Sequence, residues 1–305
     1  MKKDLKNPRP TQKRSKTMAE LINGKEIAAL NRKEIAEETA LLIEKTGVQP
    51  GIAVIIVGEN PASQVYVRNK HKAAVECGFR SDVYELPEET IQEELNDLVD
   101  RLNADDGIHG ILVQLPLPKH LSDNEIILRI DSRKDVDAFH PVNVGRIMIG
   151  DYDYLPCTPA GVMELLHRSG VEVSGKKCVV IGRSNIVGKP MAMLLLHESG
   201  TVTVCHSRTK DLKKECLDAD ILVVAIGKAD FVTGDMVKEG AVVIDVGMNR
   251  RIDGKLTGDV DFASVEPKAS KITPVPGGVG PMTIAMLMRN TLTAAKRAAE
   301  KRREI

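Results

Sequence analysis

The chain has 305 residues, 42% of them hydrophobic, which supplies enough apolar surface for two α/β domains and excludes an intrinsically disordered protein. Lys plus Arg balance Asp plus Glu at 43 each, and aromatic residues make up only 3% with no tryptophan, so neither a global field nor a stacking platform speaks for a nucleic-acid or anionic-lipid partner. Five cysteines without a C-x-x-C pair read as reduced thiols of a cytoplasmic protein; the seven histidines lack metal-ligand spacing, and no apolar run approaches the length of a membrane span.

Residues 1–17 carry seven Lys or Arg against one Asp, with Pro8 and Pro10 among them, and read as a disordered basic leader or an appended tag, with the natural start at Met18. Over 25–45, Ile27, Leu30, Ile35, Leu41 and Leu42 predict an amphipathic helix that Gly47 and Pro50 stop. Residues 52–57 form a continuous apolar strand, after which Asn60 as N-cap and Pro61 in the first turn open a second helix to about residue 77. A strand over 81–86 and a helical stripe of Ile91, Leu95, Leu98, Val99 and Leu102 follow. A buried strand over 110–115 is then closed by Pro116 and Pro118. Ser122 and Glu125 predict a capping box for a short helix to Ile130, and 131–159 read as a loop. Beyond it come a helix over 160–168, strands over 178–181, 202–205, 221–226 and 242–246, a strand and glycine-rich loop over 272–281, and a last helix over 282–302. Repeated α and β units predict a largely parallel sheet whose ligands sit beyond the carboxyl ends of its strands.

The chain is organised around the stretch after the strand at 178–181. Gly182 permits a sharp turn, Gly188 permits close approach of backbone or ligand, and Pro190 suits the first turn of a helix. Such a strand, loop and helix start aims unpaired N–H groups at one point, which favours a phosphate. The spacing Gly182, Ser184, Gly188 is not G-x-G-x-x-G, and an ordinary turn with Arg183 solvated reads the same way. The next strand decides between them. It ends in His206, Ser207 and Arg208, where a dinucleotide fold presents its ribose-reading side chain, and with no acid there Ser207, Arg208 and Arg183 favour a 2′-phosphate. The cofactor implied is NADP.

On the helix after Pro61, the spacing of Tyr66, Lys70, Ala73 and Cys77 puts them on one face, with Arg68, His71 and Lys72 on the other. Neighbouring cations favour the neutral amine of Lys70, which can act as a base; a lysine snorkelling from a core face is the plainer reading. Gln114 is the one polar residue of a buried run, at the end where ligands are expected, and a buried amide needs a partner. Asp135 and Asp137 have the chemistry to accept hydrogen bonds from a ring amine and amide, or to cap their loop. The loop from Gly277 to Gly280 sits at a strand-to-helix junction, which raises the odds of ligand contact.

The runs YVRNK (66–70), VQLPLP (113–118), KDVD (134–137), GRSNIVGKP (182–190) and PGGVGP (276–281), in that order, closely resemble the bifunctional methylenetetrahydrofolate dehydrogenase/cyclohydrolase family from about Met18 to the end of the chain. The resemblance implies NADP-dependent oxidation of 5,10-methylenetetrahydrofolate to the methenyl cation and hydrolysis to 10-formyltetrahydrofolate, in one-carbon metabolism and purine biosynthesis, by a homodimer without nucleic-acid or membrane partners. It implies an N-terminal α/β catalytic domain (18–155 with 282–305), a Rossmann-like NADP-binding domain (156–281), and a folate cleft between them. Lys70 would be the base or proton shuttle and Gln114 its positioner. Tyr66 would pack on the folate, Asp137 hold the pterin edge, and Gly277, Gly278 and Pro281 border the cleft. Gly182, Arg183, Ser184 and Ser207 would bind NADP, with Met248 near its base or nicotinamide path. Ala138 departs from the family's usual glycine, so a different turn is expected around Asp137. Three other readings stay open: a folate dehydrogenase without hydrolase activity, a shikimate dehydrogenase-like NADP enzyme acting on a hydroxy acid, and a non-catalytic NADP-binding module.

Overall fold

A computed structural model describes residues 18–301, so the expectation for the basic leader lies outside the described residues. In chain order the elements are β1 (Glu20–Leu21), α1 (Gly24–Thr46), β2 (Gly51–Val57), α2 (Pro61–Glu76), β3 (Arg80–Leu86), α3 (Gln92–Ala104), β4 (Gly110–Val113), α4 (Asp123–Arg129), α5 (Pro141–Ile149) and α6 (Cys157–Arg168). Then follow β5 (Lys177–Ile181), α7 (Gly188–His197), β6 (Thr201–Cys205), α8 (Leu212–Leu217), β7 (Ile221–Val224), β8 (Val242–Asp245), β9 (Asn249–Arg250), β10 (Leu256–Thr257), α9 (Phe262–Val265), β11 (Lys271–Ile272) and α10 (Val279–Lys301).

Two parallel sheets result, one of three strands in the order β3-β2-β4 and one of six in the order β1-β11-β8-β7-β5-β6; β9 and β10 form a separate antiparallel ribbon. Side-chain alternation along each strand feeds two faces. Ala53, Ile55, Val57, Ile111 and Val113 pack with α3 and α4, whereas Ile52, Val54 and Ile56 join a core shared with α1, α6, α10 and one face of the six-stranded sheet. Val179, Ile181, Leu222, Val224 and Val243 build a third cluster on that sheet's far face. The shared core, with α10 packed on α1 and α6, couples the sheets, and β1 adds the chain's first described strand to the second sheet by pairing with β11.

Several expectations need correcting. Leu30 and Leu41 are exposed; α1 instead buries Ala28, Asn31, Ile35, Thr39 and Leu42, because Thr39 satisfies its hydroxyl on the Ile35 carbonyl (2.8 Å) and Asn31 its amide on Ile27 O and Glu164 (3.2 Å each). Ile91 is the exposed residue before α3 rather than part of its stripe. Only half of the capping box forms: Ser122 Oγ accepts from Glu125 N (3.2 Å), while the Glu125 carboxylate accepts from Asn96 Nδ2 (2.6 Å). The stretch read as a loop contains α5, whose N-cap is His140 through Nδ1 to Val142 N (3.1 Å) with Pro141 in the first turn. β4 ends at Val113 and β7 at Val224, both two residues early, and α10 begins at Val279, inside the glycine-rich run.

Candidate active site

Asn60 does cap α2, its Oδ1 accepting from Ser63 N at 3.2 Å. The helix leaves the carboxyl end of β2 and buries Ala73, with Cys77 buried just past its end, while Lys70 stays half-buried and Tyr66 is 39% exposed. Arg68, His71 and Lys72 face outward as expected. Gln114 stands just past β4, next to β2, and receives a hydrogen bond from Lys70 Nζ on its Oε1 at 2.9 Å. Its own Nε2 donates to Leu115 O at 2.9 Å, so the amide presents its oxygen to the ammonium group.

Asp137 is the acidic neighbour of this pair. Burial pushes its carboxyl up from the ordinary range, and the positive field of Lys70 partly offsets that shift. Cys157 Sγ donates to Asp137 Oδ1 at 3.6 Å and to Val136 O at 3.5 Å; desolvation, reinforced by the Asp137 charge, holds this thiol well above its usual pKa and keeps it protonated. Nothing singled out Cys157 in the sequence, where it lies in a stretch without clear periodicity. Asp135 and Asp137 part company here. Asp135 Oδ2 accepts from His140 N and Asn143 Nδ2, both at 2.8 Å, which is the loop-capping job, and leaves Asp137 alone on the site.

Ala138 takes φ 58°, with its N–H bonded to Asp135 O at 3.1 Å, so the turn keeps the left-handed geometry that suits glycine and the alanine bears the strain. The expectation of a different turn gives way to a strained one. Replacing Ala138 with glycine relieves about 1–2 kcal/mol of left-handed strain but loses about 0.5–1 kcal/mol in backbone entropy and about 0.8 kcal/mol of methyl burial, so denaturant unfolding should shift by less than about 1 kcal/mol. Ala138→Val should lose about 2–4 kcal/mol, because a branched residue would be forced into that φ at a fully buried position.

On the other sheet, Gly182 adopts φ 126°, and a β-carbon there would collide with the carbonyl oxygen of Ala225; one at Gly188 would collide with Gly182 O. The turn is therefore a cradle that only glycine leaves open. Ser184 Oγ accepts from Val187 N (3.1 Å) and Gly188 N (3.3 Å) and so caps the start of α7. Ile181 and Cys205 are register partners in β5 and β6, so Arg183 and Ser207, both exposed, emerge from adjacent strand ends on the same edge. The expected unpaired N–H groups at the helix start are already taken, those of Val187 and Gly188 by Ser184 Oγ and that of Lys189 by Ser184 O (3.0 Å), so the fit to a phosphate-bearing dinucleotide rests on the glycine-lined approach and on a serine and an arginine where an acid would repel a 2′-phosphate.

The two halves meet at Met248. The Tyr66 hydroxyl lies 2.7 Å from Met248 Sδ, and a β-carbon on Gly280 would come 3.0 Å from Met248 Cε. Gly277 and Gly278 touch the start of α1, Gly277 O accepting from Lys25 N at 2.9 Å and Gly278 packing on Gly24; Pro281, half-buried, lies in the first turn of α10. Thus Lys70, Gln114, Asp137 and Tyr66 gather on one side, Met248 and Gly280 close it, and Gly182, Arg183, Ser184 and Ser207 occupy the far strand ends. A cavity of about 400 Å³ between Asn103, Tyr154 and Arg297 lies at the opposite, amino end of β4, where Arg133 is paired with Asp131, and Arg146 and Arg297 with Asp153.

With the site in place, the chain can be set beside known proteins. Residues 22–137 match the family model of the tetrahydrofolate dehydrogenase/cyclohydrolase catalytic domain, and residues 156–299 that of the corresponding NAD(P)-binding domain. The chain is 60% identical over 282 residues to the bifunctional protein FolD of Acetivibrio thermocellus, covering 92% of this chain and 99% of that protein. It is 59% identical over 285 residues to the bifunctional protein FolD of Streptococcus pneumoniae, covering 93% and 100%. Among solved structures, the bifunctional enzyme FolD of Campylobacter jejuni superposes with TM-score 0.88 at 52% identity over 91% of this chain and 98% of that one. The Trypanosoma brucei methylenetetrahydrofolate dehydrogenase-cyclohydrolase, complexed with NADP and an inhibitor, gives TM-score 0.88 at 45% identity over 92% and 98%.

Proposed function

The chain belongs to the tetrahydrofolate dehydrogenase/cyclohydrolase family, and from that premise we propose that its cleft oxidises 5,10-methylenetetrahydrofolate to the methenyl cation with NADP and then hydrolyses that cation to 10-formyltetrahydrofolate. The observation that carries this reading is the Lys70–Gln114 hydrogen bond of 2.9 Å beside the half-buried Asp137. Hydrolysis needs a base to help water attack a cationic carbon. Lys70 is placed to supply it. Gln114 Oε1 fixes the nitrogen of Lys70 in place. The raised carboxyl of Asp137 is suited to share a proton with the amine and amide edge of a pterin, while the exposed ring of Tyr66 offers a face for the folate to pack against.

Gly182, Arg183, Ser184 and Ser207 would hold NADP, which would supply the hydride acceptor. Met248, next to Tyr66, would border the cofactor near its base or nicotinamide path. We further propose a cytoplasmic homodimer serving purine biosynthesis. The five cysteines, all buried and unpaired, suit a reducing compartment, and among the described residues no helix is long and apolar enough to cross a membrane.

The test is to mix the protein with 5,10-methylenetetrahydrofolate and either NADP or NAD, and to follow NADPH formation separately from the rise and decay of the methenyl product. NADPH with methenyl decay faster than the enzyme-free control is the expected result, and NAD should serve less well than NADP. NADPH with uncatalysed decay would reduce the chain to a dehydrogenase; no turnover with either nucleotide would overturn the dehydrogenase, and uncatalysed decay of added methenyltetrahydrofolate would overturn the hydrolase.

A further inference from the structure

Behind the cofactor side of the cleft stand two carboxylates for which the mechanism above has no use. Asp245, at the end of β8, and Asp259 are 3% and 0% exposed, and among the described residues neither forms an ion pair. Their bonds go almost entirely to the main chain. Asp259 Oδ2 accepts from Ile226 N (2.7 Å) and Gly227 N (2.9 Å), and Oδ1 accepts from Lys228 N (2.8 Å) and the side-chain amide of Asn249 (2.9 Å). Asp245 Oδ1 accepts from Gly247 N and Asp259 N, and Oδ2 from Val260 N, all at 2.9 Å, while its own N–H donates to Thr273 Oγ1 at 2.8 Å. Glycines leave room for this: a β-carbon on Gly247 would strike the Asp259 carboxyl, and one on Gly258 the Asp245 carboxyl.

The segments so tied are those that frame the nucleotide side. The loop held by Asp259 follows β7, whose Val224 is the register partner of Ile181, and Ala225 O is the atom against which Gly182 is wedged. Asn249, the fourth donor, follows Met248 directly. We propose that Asp259, braced by Asp245, is a positioning residue for the dinucleotide, fixing the 226–228 loop and the Met248 segment in the register that NADP binding requires. Both oxygens of Asp259 accept two donors each, so an ionised carboxylate is the only side chain of that size that satisfies the site. Asparagine would turn its NH₂ toward two N–H groups whichever way it is flipped. Burial pushes the Asp245 carboxyl up to about 6, against the pull of its three N–H donors, so its ion is retained at a cost that a purely packed core would not carry.

The inference rests on the functional reading above only for the name of the nucleotide, and its primary readout is nucleotide binding rather than folate turnover. NADPH fluorescence titrations on the full chain should show Asp259→Asn binding the nucleotide about tenfold or more weakly than wild type, the loss expected when buried N–H groups are left without acceptors. Hydrolysis of added methenyltetrahydrofolate, measured without nucleotide, should stay within about twofold of wild type, since Lys70 and Gln114 bond to each other and to Leu115 O rather than to the segments Asp259 ties. Unchanged NADPH binding overturns the proposal. So does a loss of hydrolysis equal to the loss of binding, which is what general unfolding produces. Should Asp259→Asn not fold, Asn249→Ala decides instead: it removes one donor from Asp259 and should weaken binding about three- to tenfold, with no change overturning the role. If wild type binds NADPH but turns over no folate, the enzymatic reading fails while the positioning role stands.

Discussion

Replacing Lys70 with alanine is expected to slow hydrolysis of the methenyl cation by about 10²- to 10⁴-fold, the usual contribution of a positioned base. The loss also strips Gln114 Oε1 of its donor and Asp137 of the nearby positive charge that offsets its burial, so folate should bind less tightly as well. Lys70→Arg separates the two effects. Arginine restores the positive field beside Asp137 but does not give up its proton, so it should recover folate affinity without recovering hydrolysis. Stopped-flow decay of added methenyltetrahydrofolate, compared at equal folded fraction by circular dichroism, reads both variants. Wild-type hydrolysis in Lys70→Arg would remove the base role, and retention of both activities in Lys70→Ala would remove the lysine from the mechanism.

The residues that make this experiment interpretable were legible to different degrees. Continuous apolar runs such as 52–57 announce strands buried on both faces, and Asn60-Pro61 announces the start of α2, because those signals are local. Lys70 and Gln114 were each visible as a polar side chain on an apolar face, but their 2.9 Å bond depends on β2 and β4 lying side by side, which no local pattern encodes. The buried face of α1 was misread because Asn31 and Thr39 satisfy themselves within the helix and its neighbour, so hydropathy pointed to Leu30 and Leu41 instead. Helix α5 was hidden by a histidine cap, which the usual list of capping residues leaves out. Asp245 and Asp259 escaped notice for a different reason. Asp245 has the same signature as Gln114, a polar side chain at the end of an apolar strand, but its partners are main-chain groups far along the chain.

Gly182→Ala should act on the opposite activity. At φ 126° the added methyl meets unfavourable backbone geometry, which costs about 1–3 kcal/mol. It also points into the carbonyl oxygen of Ala225, a backbone atom that cannot swing aside as a flexible side chain would. Either the turn or the loop after β7 must move. The Gly182 N–H is tied to Cys205 O at 2.9 Å and its carbonyl is packed against Gly188, so a shift at this residue carries into the loop of Arg183 and Ser184 and the capped start of α7. NADP binding should weaken by about 10- to 100-fold, at about 1.4 kcal/mol per decade, and the dehydrogenase kcat/KM should fall with it. Hydrolysis of added methenyltetrahydrofolate draws on Lys70, Gln114 and Asp137, which belong to the other sheet and its loops, and should fall by no more than about twofold in protein that remains folded. Equal losses of both activities, with the melting temperature unchanged, would mean that the two steps do not divide along the two sheets. A normal dehydrogenase would mean that the glycine turn does not hold the nucleotide.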